Sequence, residues 1–532
     1  MSNYNNSPTG SGLFLGIEVG STRIKAVLSD SGGNSVCDSS YVWENELIDG
    51  YWSYSLDEMW KGVQHCVVTL GENNRIDSSE PLLKSVRAIG ISAMMHGYLV
   101  FDEAGQLLVP FRTWRNTTTG QASSFLSELL GINIPQRWSI AHFYQSILNR
   151  EEHISSVNYL TTLSGYIHWI LTGNKVLGIG DASGMFPIDP VTRNYDQVML
   201  SKMDCVLSQR GITCSVGDIL PKVVLAGSHS GFLTPKGAAL IDPSGQLPAG
   251  IPLCPPEGDA GTGMVATNCV QINTANVSLG TSIFAMIVLD SQIKGLHKEI
   301  DPVCTPAGDP VAMVHSNNGC SQVDELVEMM YNLLKSQGYS KDISSIYSLF
   351  YELASSGDPS AGLYVPYNTL AGEPLLDLDE GRLLTVRSST SNVTLQNVTR
   401  AHVYSMFAAL KIGIDLIQRD NKANLNSIVA QGGIFNTPLL PQQLLSDVLN
   451  IPVSVPCDAS EGGAWGSSVL AGYMYQKMDG QSLSDYLNNI IFSSSSFSTV
   501  RPNPDVQVGV QQFLELYKNG LPLLRSCTSY VP

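Results

Sequence analysis

Two similar segments, one in each half of the chain, constrain its fold more than any other feature. The first is LGIEVGSTRIKAVLSD, from Leu15 to Asp30, and the second is VSLGTSIFAMIVLD, from Val277 to Asp290. Each is typical of an apolar strand, a tight turn of Gly and hydroxyl residues, and a second apolar strand that runs back beside the first. The repeat therefore predicts two related lobes, each with one such hairpin.

The composition of the two turns favours contact with phosphate groups. Gly20 and Gly280 lack the Cβ that would keep a polyanion at a distance, and backbone N–H groups of the turns can donate to phosphate oxygens. The side-chain hydroxyls that can do the same belong to Ser21, Thr22, Thr281 and Ser282. One Gly-Ser-Thr turn alone usually only closes a hairpin. Because the turn occurs twice, we expect a nucleotide held between two lobes.

Length and charge limit the function classes. A chain of 532 residues exceeds the size at which one hydrophobic core stops growing, so two or more domains are expected. The formal net charge of −17 and the lack of a Lys/Arg cluster argue against binding to nucleic acid, which requires a basic patch. An anionic nucleotide must then be held by N–H groups, hydroxyls and a bound cation.

The sequence indicates neither a signal peptide nor a membrane span. Residues 1–12 are polar and rich in Gly and Ser, and we expect a flexible N-terminus there. No run approaches the ~20 apolar residues that cross a bilayer. The ten cysteines lack Cys-x-x-Cys spacing and His partners at ligand distances, which favours reduced thiols. These features predict a cytoplasmic protein without a membrane partner.

Apolar periodicity predicts strands and helices that alternate in both halves. Leu56–Leu70 has the spacing of an amphipathic helix, and Val86–Met94 has the pattern of a buried strand. The Ser-rich run at 493–498 is typical of a loop. Such alternation favours layered α/β lobes. We draw the lobe boundary just before the second hairpin, so that residues 13–268 and 269–532 form the two lobes.

Together, the two hairpins resemble those of the actin-like, ribonuclease H-like ATPases. Within that superfamily the chain resembles the FGGY carbohydrate kinases, and its motifs are most similar to those of xylulokinase-like pentulose kinases. The resemblance implies an α/β fold of two actin-like lobes with an ATP and sugar cleft between them. It also implies that the N-terminal lobe binds sugar and phosphate, that the C-terminal lobe binds adenosine, and that Mg²⁺ assists transfer of the γ-phosphate to a sugar hydroxyl.

The segment PPEGDAGTG, residues 255–263, carries the candidate catalytic residue. It places the carboxylate of Asp259 among small residues, after a short strand and before a helix. From the residues alone, Asp259 suits a helix N-cap as well as it suits catalysis. FGGY kinases carry a GD-containing segment here, and the resemblance implies that Asp259 is the general base that takes the proton of the attacking sugar hydroxyl.

Glu18 stands where the family has an Asp, in a motif similar to GIDLGTT. The resemblance implies that Glu18 and Asp259 hold the Mg²⁺ ion that bridges the phosphates. Because Glu is one methylene longer than Asp, the ion would be held differently, and an acidic residue at a solvated strand edge is the alternative. Lys25 follows the turn and is a candidate for phosphate contact, although a solvent-facing strand lysine is equally consistent with its position.

Three segments resemble sugar-binding parts of the family. Met95 and His96 belong to an MHG segment similar to that of xylulokinases, and imidazole can donate to or accept from a hydroxyl. Trp114 and Arg115 stand in place of a Trp-Asn or Trp-Gln pair, and Arg115 is a departure that offers a planar cation. Asp181 lies in GDASGMFPID, which resembles a loop near the sugar pocket. The predicted substrate-binding residues are Met95, His96, Trp114, Arg115, Asp181 and Asp259.

The C-terminal half holds a candidate adenosine motif. Gly432, Gly433 and Asn436 resemble the family pattern GGxxxN, in which glycines let the nucleoside approach the backbone and the amide bonds the purine. The segment SEGGAWG, residues 460–466, is expected to form the companion wall. PYNTLAGEP, residues 366–374, resembles the family's PYLxGERxP without its Arg, and the resemblance implies a looser lobe-closing contact.

These motifs predict an ATP-dependent kinase for a ketopentose such as xylulose. Met94 and Arg115 depart from the xylulokinase pattern, so a kinase for another ketose or polyol, including ribulose or a seven-carbon ketose, stays open. A third hypothesis is a non-catalytic ATP-binding regulator, which Glu18 favours and Asp259 disfavours. The sequence leaves the oligomeric state open, a homodimer being one option.

Overall fold

The computed structural model describes residues 12–72, 81–378, 380–421, 423–456 and 462–527. The chain divides into two compact units. Unit 1 contains the residues up to Gln271, residues 302–311 and a C-terminal segment that ends at Ser495. Unit 2 contains residues 272–301, the segment that begins at Ala312, and the residues from Ser496 onward.

Strands and helices alternate in both units, which confirms the predicted α/β class. The strands are β1 (Leu13–Val19), β2 (Arg23–Ser29), β3 (Ser35–Val42), β4 (Glu46–Ile48), β5 (Tyr51–Ser53), β6 (Val86–Ala93), β7 (Leu99–Phe101), β8 (Tyr159–Thr161), β9 (Val176–Gly178), β10 (Ile188–Asp189), β11 (Asn194–Tyr195), β12 (Lys222–Val224), β13 (Gly231–Phe232), β14 (Pro252–Leu253), β15 (Glu257–Gly258), β16 (Thr274–Leu279), β17 (Ile283–Val288), β18 (Ile300–Cys304), β19 (Pro310–Ser316), β20 (Val365–Tyr367), β21 (Leu384–Val386), β22 (Ser427–Gln431), β23 (Val453–Pro456) and β24 (Phe497–Val500). The α-helices are α1 (Leu56–Glu72), α2 (Gly120–Leu130), α3 (Ser139–Leu148), α4 (Leu163–Thr172), α5 (Ile179–Ala182), α6 (Gln197–Gln209), α7 (Val216–Ile219), α8 (Pro235–Ile241), α9 (Asp259–Ala266), α10 (Ser321–Ser336), α11 (Ser344–Ser356), α12 (Leu395–Asn421), α13 (Leu440–Leu449), α14 (Gly463–Gln476), α15 (Leu483–Tyr486) and α16 (Gln507–Cys527). Within the described ranges, no helix is both long enough and apolar enough to cross a membrane.

The main sheet of unit 1 has seven strands and is built around the first predicted hairpin. Its order is β13-β14-β6-β1-β2-β3, and β15 also pairs with β6. β1 and β2 are antiparallel, with Glu18 opposite Lys25, so the hairpin is confirmed. β1, β6 and β15 run parallel, which brings their carboxyl ends to one edge of the sheet. Ligands of open α/β sheets typically bind at that edge.

Helix α14 packs on this sheet so closely that only glycine fits beneath it. A Cβ on Gly16 of β1 would lie 1.9 Å from the carbonyl oxygen of Ala464, and a Cβ on Gly90 of β6 would lie 2.0 Å from that of Ser467. Alternate residues of β1, such as Ile17, point to the other face. There they share a hydrophobic core with α1, whose predicted helical spacing is confirmed.

The main sheet of unit 2 also has seven strands and contains the second predicted hairpin, which is confirmed. Its order is β18-β19-β17-β16-β22-β23-β24. β22 runs parallel to β16 with Gln431 opposite Ser278, so the residues after β22 lie beside the turn that follows β16. Helices α11, α12, α13 and α16 contribute buried apolar residues to the core of this unit.

The two units interleave along the chain. Residues 302–311 and helices α14 and α15, which the sequence analysis assigned to the C-terminal lobe, belong to unit 1. The contacts of α14 with Gly16 and Gly90 give the physical reason for its assignment. These segments therefore follow the second hairpin in the sequence but pack with the residues of unit 1.

The loop predicted at 493–498 is partly wrong. Phe497–Val500 forms β24, which pairs antiparallel with β23 at the edge of the sheet of unit 2. The hydroxyls of Ser454 and Thr499, on opposing residues of the two strands, lie 2.8 Å apart and share a hydrogen bond. Small polar residues are therefore accommodated in a strand here because they pair across its exposed edge.

Candidate active site

Asp259 lies at the junction of β15 and α9 in unit 1. β15 pairs with β6 through Glu257 opposite Ser92, and the chain then enters α9 with Asp259 as the first helical residue. Gly258 is the N-cap, so the alternative in which Asp259 caps the helix is wrong. The positive end of a helix favours a negative charge at this position.

The carboxylate of Asp259 is partly buried and fixed by backbone donors. Its Oδ1 accepts hydrogen bonds from the N–H of Met95 at 3.1 Å and from that of Ala260 at 2.9 Å. Burial raises the pKa of Asp259 above the ordinary value of an aspartate, and these N–H donors oppose the rise. A carboxylate with a raised pKa is a stronger base, which suits proton abstraction.

His96 lies beside Asp259 in a constrained backbone conformation. Its φ is +71°, and the following Gly97 has a φ of +101°. The ring is only 4% exposed, and Nδ1 lies 3.2 Å from the carbonyl oxygen of Gly184. Burial, assisted by the nearby Arg137 cation, lowers the pKa of His96 to about 3. The ring is therefore neutral, with Nδ1 as donor and Nε2 as an acceptor suited to a hydroxyl.

Two further carboxyl groups lie buried behind Asp259. Oδ2 of Asp181 accepts from Thr162 at 2.7 Å and from Ser164 at 2.5 Å, while its Oδ1 has no hydrogen-bond partner among the described residues. Burial raises the pKa of Asp181 to about 7 and that of Glu257 to about 8, with a smaller contribution from the charge of Asp259 for Asp181 and from the charge of Asp181 for Glu257. The sequence motif predicts Asp181 as a sugar contact, and that role stays a prediction. Glu257 was missed.

Trp114 and Arg115 form an exposed corner near the first hairpin. The Trp114 side chain is 40% exposed, and its Nε1 donates to Oγ of Ser21 at 3.1 Å. The Arg115 guanidinium is exposed and lies 4.8 Å from the centre of the Trp52 ring. The Asn116 side chain fixes this corner, because it accepts from the N–H of Trp52 at 2.8 Å and donates to the carbonyl oxygen of Trp52 at 2.9 Å.

Aromatic side chains hold the first turn by its carbonyl groups. Nε1 of Trp43 donates to the carbonyl oxygen of Gly20 at 2.8 Å, and the Tyr54 hydroxyl donates to that of Ser21 at 2.6 Å. The N–H of Gly20 closes the turn by donating to the carbonyl oxygen of Arg23 at 3.0 Å. Because the Gly20 N–H is used within the turn, the candidate phosphate donors in this turn are the N–H and hydroxyl groups of Ser21 and Thr22. Both residues are at least partly exposed.

Glu18 is partly buried near the end of β1. Its Oε2 accepts from the N–H of Ala464 at 3.2 Å, at the start of α14. A Cβ on Gly463 would lie 2.4 Å from Oε1 of Glu18 and 2.9 Å from Oγ1 of Thr262 in α9. Gly463, which is expected to form part of a wall for adenosine, thus makes room for Glu18 and α9. Residues 457–461, which include part of the SEGGAWG segment, lie outside the described residues.

The donors of Glu18 and Asp259 fit a Mg²⁺ ion that is completed by phosphate oxygens. Glu18 and Glu257 both lie opposite Ser92 of β6, so β1, which carries Glu18, and β15, which leads to Asp259, are two strands apart, with about 10 Å between their axes. Mg²⁺ typically binds one or two carboxylates, substrate phosphates and waters. In the described ranges, no group of three His, Cys, Asp or Glu side chains could hold a metal ion by itself. These two carboxylates therefore suit a Mg²⁺ ion whose other ligands include the phosphate oxygens of a bound nucleotide.

The second turn, in unit 2, is held by its carbonyl groups as well. The N–H of Gly280 donates to the carbonyl oxygen of Ser282 at 3.0 Å. The carbonyl oxygens of Gly280 and Thr281 accept from the N–H groups of Cys320 at 2.9 Å and Gly319 at 2.8 Å. A Cβ on Gly319 would lie 2.3 Å from the carbonyl oxygen of Gly280. Only glycine therefore allows this approach to the turn.

A buried network connects the 366–374 segment to that turn. Oε2 of Glu373 accepts from Ser316 at 2.6 Å and from Asn318 at 3.2 Å, and Asn318 also donates to the carbonyl oxygen of Gly372 at 2.6 Å. Asn368 donates to the carbonyl oxygen of Gly319 at 3.2 Å. Asn318 and Asn368 thus fix the segment within unit 2, and the looser lobe-closing contact expected from the missing Arg stays a prediction.

The glycine pair predicted to approach adenosine follows β22. Gly432 has a φ of +139°, and a Cβ there would lie 2.1 Å from the carbonyl oxygen of Leu279, just before the second turn. A Cβ on Gly433 would have no atom within 4 Å. Gly432, Gly433 and Asn436 are exposed, and all lie in unit 2. The structure brings this motif to the second turn, as the parallel pairing of β16 and β22 requires.

Comparison with known proteins identifies the family of this chain. Residues 13–265 match the N-terminal domain and residues 275–475 the C-terminal domain of the FGGY family of carbohydrate kinases. The xylulose kinase of Haemophilus influenzae is 22% identical over 532 residues, which cover 96% of this chain and 100% of the relative. Two solved structures from Lactobacillus acidophilus, a ligand-bound xylulose kinase and a gluconate kinase, each show a TM-score of 0.79 and 17% identity and cover 98% of this chain and 100% of theirs.

The chain belongs to the FGGY family of carbohydrate kinases and is an enzyme of that class, with the actin-like, ribonuclease H-like fold of the family. Kinases of this family use ATP as phosphate donor and a sugar as acceptor. Within the family, the chain is similar to xylulose kinases in both sequence and fold. The hypothesis of a non-catalytic regulator is thereby set aside.

Proposed function

We propose that the protein transfers the γ-phosphate of ATP to a terminal hydroxyl of a ketopentose such as xylulose. The observation that supports this most is the placement of Asp259 at the helix N-terminus, hydrogen bonded to Met95 and beside the neutral His96. A base with a raised pKa and a neutral imidazole acceptor suit a substrate that presents several hydroxyl groups. The names of the xylulose kinases that the chain resembles agree with this acceptor.

In the proposed reaction, Asp259 takes the proton of the hydroxyl whose oxygen attacks the γ-phosphorus. The new bond forms between that oxygen and phosphorus while the bond from phosphorus to the β–γ bridging oxygen breaks, and ADP leaves. His96 orients a neighbouring hydroxyl through Nε2, and the exposed ring of Trp114 offers an apolar surface for the sugar. Arg115 and Asp181 complete the proposed set of sugar-binding residues.

In this proposal, the turns of the two hairpins bind the phosphates of ATP, and the glycines after β22 bind its nucleoside. Ser21 and Thr22 in unit 1 and Thr281 and Ser282 in unit 2 donate to phosphate oxygens in this proposal, with Gly20 and Gly280 leaving room for them. Lys25, opposite Glu18 across β1 and β2, adds a positive charge near the first turn. The exposed glycines Gly432 and Gly433 admit the ribose or base, and Asn436 bonds the purine.

Glu18 and Asp259 would hold Mg²⁺. When bound, the ion neutralises charge on the β- and γ-phosphates and orients them. For this chain, the role of Glu18 is to present a carboxylate whose position is fixed by the N–H of Ala464. Ligand and base are compatible roles for Asp259 because its carboxylate has two oxygens, and the hydrogen bonds from Met95 and Ala260 both go to Oδ1.

The test is a sugar-dependent release of ADP measured with a panel of ketoses, aldoses, polyols and aldonates. We expect the highest kcat/KM with a ketopentose and ATP consumption that rises only when sugar is present. Mass spectrometry of the product should show one added phosphate on a terminal carbon. No turnover with any ketopentose, against a positive control kinase, would overturn the proposal.

A kinase for another acceptor is the second candidate, and Arg115 is the observation that favours it. The exposed guanidinium on the Trp52 ring can bind an acidic or differently arranged acceptor that a small amide would not distinguish. Ribulose, a seven-carbon ketose or a polyol are the acceptors to compare with xylulose. The substitution Arg115→Gln should shift the ranking of acceptors toward xylulose if Arg115 selects the sugar, and an unchanged ranking would remove the basis of this candidate.

A further inference from the structure

Glu257 is a buried carboxylate that neither the motifs nor the proposed chemistry uses. Its side chain is 1% exposed and lies on β15, two residues before Asp259. Oε1 lies 3.3 Å from the N–H of Gly180, and Oε2 accepts from the N–H of Asp181 at 2.9 Å. A carboxylate without access to solvent cannot meet the reactants directly. Its contacts therefore define its role.

The neighbouring backbone is shaped around this carboxylate. A Cβ on Gly178 would lie 2.3 Å from Oε1, and a Cβ on Gly180 would lie 2.5 Å from Oε2. The N–H of Gly178 also donates to the carbonyl oxygen of Pro256 at 2.8 Å, which holds the end of β9 against the start of β15. Two glycines and three hydrogen bonds thus join the segment at 178–181 to the strand that carries Asp259.

Glu257 is placed between the parts of the candidate sugar site. On one side, the segment that it holds carries Asp181 and continues to Gly184, whose carbonyl oxygen bonds Nδ1 of His96. On the other side, its own strand pairs with β6 and leads to Asp259, which bonds the N–H of Met95. Any shift at Glu257 would move the two sides relative to each other.

We propose that Glu257 is a positioning residue that sets His96 and Asp181 in register with Asp259, and that it affects the sugar side of the reaction without affecting nucleotide binding. The inference rests on the proposed function. A carboxyl group suits the place because each of its two oxygens can accept from one N–H donor. A glutamine would turn its own NH₂ group toward one of these donors, and an aspartate would be one methylene too short to reach them.

The experiment compares the wild-type enzyme with Glu257→Gln in steady-state kinetics for the preferred ketose and for ATP. We expect the KM for sugar to rise and kcat/KM for sugar to fall by about 10- to 100-fold, the effect of leaving a buried N–H donor without its acceptor. The KM for ATP should stay within about twofold, since the expected change corresponds to less than one lost hydrogen bond. Glu128→Gln, on the exposed face of α2, is the matched surface control.

A second buried carboxylate provides the reciprocal comparison. Glu373 in unit 2 supports the second turn, so Glu373→Gln should raise the KM for ATP and leave the KM for sugar near the wild-type value. If both buried substitutions raised both constants together, burial of a polar group alone would explain the data. That result would overturn the positioning role.

A paired variant tests the contact even if Glu257→Gln folds poorly. Gly180→Ala alone should weaken sugar binding, because its methyl group meets Oε2. Glu257→Ala with Gly180→Ala removes that clash, so the two changes together should cost less than the product of the single effects. Independent effects, or a wild-type KM for sugar in Glu257→Gln, would overturn the inference. A wild-type enzyme without sugar-dependent ADP release would instead contradict the proposed function, and the inference would fall with it.

Discussion

The indole Nε1 of Trp114 donates to Oγ of Ser21 across 3.1 Å, so a residue assigned to the sugar and a residue assigned to phosphate share one hydrogen bond. Trp114 is exposed and Ser21 lies in the first turn, both in unit 1. The bond occupies the hydroxyl as an acceptor and leaves its hydrogen free to be donated. Ser21 is thereby oriented as a donor toward an anion.

Trp114→Phe keeps an aromatic surface but removes this donor. We expect kcat/KM for sugar to fall about 3- to 10-fold, the usual net effect of one neutral hydrogen bond. Ser21→Ala should lose at least as much, because it also removes a proposed phosphate donor. The double variant should be no worse than Ser21→Ala alone, because the two residues share the interaction. Steady-state kinetics of the four proteins measure this cycle. Fully multiplicative losses would show that the bond has no functional role.

Asp259→Asn should nearly abolish phosphoryl transfer while ATP still binds. The amide cannot accept the proton, and loss of a general base costs roughly 10²- to 10⁴-fold in rate. Single-turnover assays measure the rate, and a fluorescent ATP analogue measures binding. Asp57→Asn on the exposed first turn of α1 is the matched control. Near-normal turnover of the Asp259 variant would contradict the assignment.

Glu18→Gln should raise the Mg²⁺ concentration needed for half-maximal rate, because an amide oxygen is a weaker ligand than a carboxylate. Glu18→Asp should be tolerated, since the family pattern has an Asp at this place. Titration of the rate with Mg²⁺ at saturating ATP tests both variants. If the metal dependence of both matches that of the wild type, the role of Glu18 is structural.

The buried carboxyl groups predict a pH dependence of stability. The pKa of Asp181 is about 7 in the folded protein, against about 4 in an unfolded chain. Between these values the folded state binds more protons, so the stability that Asp181 contributes is present at low pH and is lost as pH rises through 7. Glu257, with a pKa of about 8, acts in the same direction.

Asp181→Asn cannot titrate, so its free energy of unfolding should fall less than that of the wild type between pH 5 and 8. Denaturant unfolding at several pH values measures the difference, with Glu128→Gln as the control. Parallel pH profiles for the wild type and Asp181→Asn would mean that Asp181 is ionised throughout this range in the folded state.

Much of the fold could be predicted from the sequence because its strands are marked locally. β1 and β16 are short apolar runs that end at Gly and hydroxyl residues, and parallel strands buried on both faces require such runs. The position of β24 was missed because a serine-rich strand at a sheet edge has the composition of a loop. Its pairing with β23 depends on residues outside the strand itself.

The candidate site could be predicted only in part, since some of its contacts join distant segments. Asp259 and His96 follow strands that the sequence marks clearly. Glu257 was missed because its role depends on contacts with Gly178 and Gly180, which lie far before it in the sequence. Nothing in the sequence around these glycines indicates that they pack against Glu257. Gly463 was assigned to the adenosine wall because the sequence does not reveal that α14 packs on β1.

The close packing of α14 on β1 and β6 affects how the protein folds during synthesis. Unit 1 begins near the start of the chain, yet the helix that covers Gly16 and Gly90 leaves the ribosome only after most of unit 2 has been synthesised. Until then, one face of the sheet that carries Glu18 stays without its native cover. Unit 1 is therefore completed only when residues 463–476 have been synthesised, and a fragment that ends at the second hairpin would lack the helix that covers this face of the sheet.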